Sequence, residues 1–107
     1  MNRTVYRIQH IRSRLGPFNH NPRPSIVDDV LCDIDGPGRI PPPGEDIGID
    51  RIPKPNEICC FITHEQLRYC FNKTTRKVLK RYGFRVFKFK AKVTALGEYQ
   101  ALCERPR

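Results

Sequence analysis

Residues 87–93 read Phe87-Lys88-Phe89-Lys90-Ala91-Lys92-Val93. Apolar and charged side chains alternate without a break, which is the period-two pattern of a strand with one face buried and one in water. Phe87, Phe89, Ala91 and Val93 supply the buried face, and Lys88, Lys90 and Lys92 supply the wet one. Toward the N-terminus lies a helical stripe of Leu67, Cys70, Phe71, Thr74, Val78, Leu79 and Tyr82. Thr63 with Gln66 three residues on is a capping box that starts this helical region. Gly83 closes it in the left-handed conformation, and Lys80 and Arg81 complement the negative end of the helix dipole. Asn72-Lys73-Thr74-Thr75 offers a point at which the region divides into two shorter helices.

Three further strands are expected around this pair. Ile58-Cys59-Cys60-Phe61-Ile62 is a short apolar run, read as a buried strand. Residues 4–9 are β-branched and aromatic with polar interleaving, placing Tyr6 and Ile8 on one face and Val5 and Arg7 on the other. Gly97 turns the chain into a last strand over 98–103. The fold class is α+β: a small mixed or antiparallel sheet, one main helical region and a long Pro/Gly-rich acidic loop. Its 107 residues are read as a single domain.

That loop is residues 19–57, which hold eight of the ten prolines. Within it, Ile26, Val27, Val30, Leu31 and Ile34 suggest a short helix over 25–34, with Ser25 as N-cap. The loop also collects acid: Asp28, Asp29, Asp33, Asp35, Glu45, Asp46, Asp50 and Glu57. Residues 68–92, by contrast, carry ten basic side chains and no acidic one, against a net charge of +9 for the whole chain. Lys73, Arg76, Lys77, Lys80 and Arg81 form a basic helix face, and Lys88, Lys90 and Lys92 a basic strand face. Such a face attracts nucleic acid or an acidic protein partner if its cations share one surface; otherwise they are two separate solvated faces.

Cys32, Cys59, Cys60, Cys70 and Cys103 form no C-x-x-C pair, and no His stands at finger spacing from them, so a metal site has no support. They read as reduced, buried thiols in a soluble, cytoplasmic protein. No apolar run reaches the ~20 residues of a membrane span. No phosphate-binding loop, dinucleotide fingerprint, nucleophile elbow or H-E-x-x-H motif occurs.

Three constellations could carry chemistry. The first is Arg7 and His10 beside Gly16-Pro17-Phe18: an Arg fork and a His near a loop whose backbone can approach a ligand. A surface Arg and a solvated His are the competing reading. The second is His64 and Glu65 at the helix start after Thr63, where free N–H groups attract anions, unless the residues only cap. The third is Gly97-Glu98-Tyr99-Gln100, opening the final strand.

Taken together, Val-Tyr-Arg-x-x-His…Gly-Pro-Phe, Cys-Cys-Phe-x-Thr-x-Glu-Gln-Leu-Arg-x-x-Phe, Gly-Phe-Arg-Val-x-x-Phe and Gly-x-x-Gln resemble a family of small phage and prophage proteins. That pattern in turn is similar to a stripped-down ADP-ribosyltransferase. The resemblance implies that Arg7 and His10 hold NAD, with Phe61 near the nicotinamide. It places Glu98 or Gln100 on a catalytic strand, stabilising an oxocarbenium-like ribose. The first and last strands would then lie side by side around a dinucleotide-sized hollow. The substrate would be a host protein in the host cytoplasm. The alternative is a non-enzymatic basic protein that binds nucleic acid, or host defence or nucleic-acid machinery, by contact.

Overall fold

The computed structural model describes residues 2–17, 25–27, 46–49 and 51–105. In chain order the elements are β1 (Asn2–His10), β2 (Glu57–Cys60), α1 (His64–Cys70), α2 (Lys73–Arg81), β3 (Phe84–Leu96) and β4 (Ala101–Glu104). The four strands form an antiparallel sheet in the order β1-β3-β4-β2. The α+β class and the antiparallel sheet are as the pattern predicts.

β3 is the spine. It begins three residues before the alternating run, because Phe84, Arg85 and Val86 pair with His10, Gln9 and Ile8 of β1. Its first nine residues pair with β1; Val93, Ala95 and Leu96 pair with β4. Between Val93 and Ala95 the register shifts. The extra residue there bends the strand, just past the point where β3 changes partner between Lys92 and Val93. The sheet then curls until β2 meets β1 again. Tyr6 N–H donates to the Phe61 carbonyl at 2.7 Å, and Phe61 N–H donates back to Tyr6 at 2.8 Å.

The curl sorts β1 by side-chain parity, as its alternation predicts. Val5 lies inside, with Ile58, Cys60, Ala91, Ala101 and Cys103. Ile8 lies outside, where Leu67, Cys70, Phe71 and Leu79 of the helical region cover it together with Phe61 and Phe84. Val27 joins this outer cluster fully buried, so the apolar pattern at 25–27 does carry core. The remainder of the expected helix at 28–34, Cys32 and most of the acidic loop lie outside the described residues.

The helical region divides at Asn72. Thr63 Oγ1 accepts from Gln66 N–H at 3.1 Å, while Gln66 Oε1 accepts from Ile62 N–H at 3.0 Å, the capping box shifted by one residue on its return arm. Asn72 Oδ1 accepts from Thr75 N–H at 2.9 Å and starts the second helix. An Asn in extended backbone satisfies a helix start better than it continues a helix, which is why the stripe breaks there. Gly83 takes φ +92° beyond the end of α2, as expected. A side chain at that position would strike the His10 ring.

Two expectations are corrected. The last strand is Ala101–Glu104, so Glu98 and Gln100 lie in the turn before it. And β1 is not a neighbour of β4, because β3 stands between them. A strand long enough to serve two partners lets both chain ends pair with it rather than with each other.

Candidate functional site

The turn holding Glu98, Tyr99 and Gln100 is organised by Asp46. This carboxylate is buried and accepts the backbone N–H groups of Glu98 at 2.7 Å, Tyr99 at 3.2 Å and Gln100 at 3.1 Å. Three successive amides aimed at one anion are a nest, and Asp46 occupies it from within the chain. Glu98 also donates its N–H to the Ile47 carbonyl and accepts at its own carbonyl from Gln66 Nε2 at 3.3 Å. The Glu98 side chain is exposed, while Gln100 is buried. Tyr99 stacks on Tyr69 of α1, ring centroids 5.8 Å apart. The negative charge of Glu98 raises the Tyr99 pKa.

Arg7 is buried inside the curl. Its Nη1 donates to the Cys59 carbonyl at 2.5 Å and its Nε to Gln9 Oε1 at 3.2 Å. Burial lowers its pKa, but a guanidinium stays charged. Gly16 lies against the guanidinium, so the Gly-Pro turn makes room for this side chain. His10 ends β1 on the opposite face, edge-on to Phe84 at 5.2 Å, and its Nδ1 accepts from Arg12 N–H at 3.1 Å. Phe61 is a core residue, edge-on to Phe71 at 6.1 Å. His64 lies on the Tyr6 ring at 4.2 Å.

These positions join the second and third sequence constellations through Gln66. They do not bring Arg7, His10 and Glu98 into one cleft. His10 pairs with the first residue of β3, whereas Glu98 follows its last. The thiols lie as the sequence suggests: Cys60, Cys70 and Cys103 are buried, and Cys59 is half-buried. Cys60 and Cys103 share a hydrogen bond that raises the pKa of the first and lowers that of the second. Among the described residues no group of three or more His, Cys, Asp or Glu side chains is placed to hold a metal.

The basic residues fall in two sets, a row on the sheet face and a group at a cleft. Lys88, Lys90 and Lys92 are exposed and sit on the outer sheet face opposite Tyr6, Thr4 and Asn2, none of them charged. Their Cα atoms recur about every 7 Å. Lys92 makes one loose, exposed ion pair, 3.8 Å to Glu104, which contributes little. The same face continues through Val86 to Phe84, and there α2 packs on it. Between α2 and β3 lies a cleft of about 240 Å³. Ile8, Leu79, Phe84 and Val86 make its apolar lining; Arg76, Lys80 and Arg85 make its basic one. Arg85 Nη1 donates to the Lys80 carbonyl at 2.7 Å and to the Phe84 carbonyl, closing the end of α2. Arg76 Nε is buried and has no hydrogen-bond partner among the described residues. Lys73, Lys77 and Arg81 are exposed along the same helix.

The family model described as Bacteriophage T4 Y00F protein matches residues 1–107. The chain belongs to this family. No curated protein and no solved structure matches it. Membership makes it a phage protein, as the residue pattern suggested, and among the described residues no helix is long and apolar enough to cross a membrane.

Sequence reading missed Asp46 and the cleft. Asp46 stands in a run of acids whose bland reading is solvation, and nothing in its neighbours marks it as buried. The cleft needs Ile8 beside Leu79, a contact between residues 71 positions apart.

Proposed function

We propose that this phage protein acts by binding, not by catalysis, and that its target is a linear polyanion, nucleic acid above all, held on the outer face of β3 and α2. The observation that carries this reading is that Arg76 and Lys80 of α2 border a cleft floored by Val86, on the sheet face that carries Lys88, Lys90 and Lys92. Lys88, Lys90 and Lys92 offer a row of positive charge with no acid opposite them on β1. Phosphate contacts of this kind supply affinity without sequence preference, and they weaken steeply with salt because binding releases counterions. NAD-dependent transfer to a host protein is the second reading; it needs Arg7, His10, Phe61 and Glu98 or Gln100 around one ligand, and among the described residues His10 and Glu98 lie at opposite ends of β3.

The test is fluorescence anisotropy with labelled oligonucleotides at 50 and 200 mM salt. Binding at the lower salt that falls roughly 10-fold or more at the higher supports the reading. No binding at the lower salt sinks it.

A further inference from the structure

The cleft at the end of the lysine row differs from the row itself. Lys88, Lys90 and Lys92 are charges in water. The cleft combines an apolar floor with a basic rim, and one of its donors, Arg76 Nε, is buried without an acceptor among the described residues. A buried donor with no partner is costly unless a ligand supplies the acceptor. Val86, on the floor, is 43% exposed in the middle of a basic surface, where solvation alone gives no reason for an apolar side chain. Among the described residues no acidic side chain lines the cleft.

We infer that this cleft seats one unpaired nucleotide of the bound strand. Its base lies on Val86, over the buried Ile8 and Leu79, and its phosphate is held by Arg76 and Lys80. Size favours a single nucleotide. About 240 Å³ falls short of the roughly 300–1,000 Å³ of sites that enclose whole small-molecule ligands, so the cleft takes one ring and its anion, and not a dinucleotide. Charge favours a strand over an isolated anion, because the lysine row leads away from the cleft at regular steps, as a chain with one charge per repeat requires. A base in a duplex is stacked and paired and cannot reach the floor, so the site selects single strands. This inference rests on the polyanion reading, and two arms keep their failures apart.

In the first arm, anisotropy at fixed low salt compares a single strand of thymidines, an abasic strand of equal length and a duplex. The thymidine strand is expected to bind about 10-fold tighter than the abasic one. Val86→Glu is expected to erase that difference while retaining residual binding to both strands. Val86 is a partly exposed strand residue, and circular dichroism and the melting temperature check that the variant folds. Equal affinity for the thymidine and abasic strands overturns the cleft and leaves the polyanion reading standing. Binding to none of the three overturns both. The second arm uses no strand. Methyl NMR shifts of Ile8, Leu79 and Val86 are followed with thymidine monophosphate and with ribose 5-phosphate. Shifts larger with the nucleotide support the site; equal shifts, none, or larger shifts with an acidic peptide overturn it.

Discussion

The guanidinium of Arg7 donates to the backbone carbonyl of Cys59, 52 residues away. β1 and β2 meet at Tyr6 and Phe61 and then part, and Arg7 fills the gap with the hydrogen bond that a ladder would have made there. An Arg on a strand therefore serves closure of the sheet.

Replacing Arg7 by Leu leaves the Cys59 carbonyl without its donor in a partly buried place. The loss is about 2 kcal/mol of stability, since hydrogen bonds from charged donors exceed neutral ones and the acceptor is left only partly solvated. Urea unfolding reads it. Arg7→Lys restores a charge but not the fork, so it lies between the two. A wild-type midpoint in Arg7→Leu contradicts the structural role.

Asp46→Ala removes the acceptor for three successive amides. It is expected to cost about 3 kcal/mol and to expose the amides of residues 98–100 to hydrogen exchange. Gly97→Ala acts on the same contact from the other side, because its new methyl group collides with the Asp46 carboxylate. The double variant loses less than the sum of the single losses, as contacting sites do.

Glu57 gives the chain an acid-sensitive joint. Arg51 holds its carboxylate through a fork, 2.6 and 2.8 Å, and Lys54 N–H adds a bond at 2.8 Å. The Arg51 bond first, then Thr94 and Lys54, lower its pKa far below the ordinary carboxylate range. A lowered folded-state pKa means that the stabilisation is complete above the unfolded value of about 4.3 and is lost as pH falls beneath it. Wild type is expected to weaken from pH 5 to pH 3. Glu57→Gln, already without the charge, weakens less over that interval. Chemical denaturation at the two pH values compares them, and parallel losses count against this assignment.

On the binding face, Lys90→Ala is expected to lower the slope of log affinity against log salt by about 0.7 to 0.9, the share of one phosphate contact. Its effect on a thymidine strand and on an abasic strand is the same, because it touches no base. An unchanged slope places the nucleic acid on another surface.

Much of the fold is legible in local order. The alternation at 87–93 marks the half-buried strand and assigns Lys88, Lys90 and Lys92 to water, since a pleated chain sends neighbours to opposite faces. Thr63, Gln66 and Gly83 mark helix ends because capping is settled within a few residues. The parity of Tyr6, Ile8, Val5 and Arg7 follows for the same reason. The site is less legible. Gln100 looks like a strand residue and is a turn residue, because Asp46 captures its amide from half a chain away.

What the amino-acid order determined by itself is therefore what spans a few residues: the strands, the helix caps, the two faces of β1 and β3, and the concentration of charge in 68–92. Only the tertiary structure decided that Arg7 closes a sheet, that Asp46 fills a nest, and that Arg76 and Lys80 share a cleft with Val86. Each of those depends on which distant segment arrives, and that follows from the curl of β3 at its bulge, where packing of two cores and not local preference sets the partner.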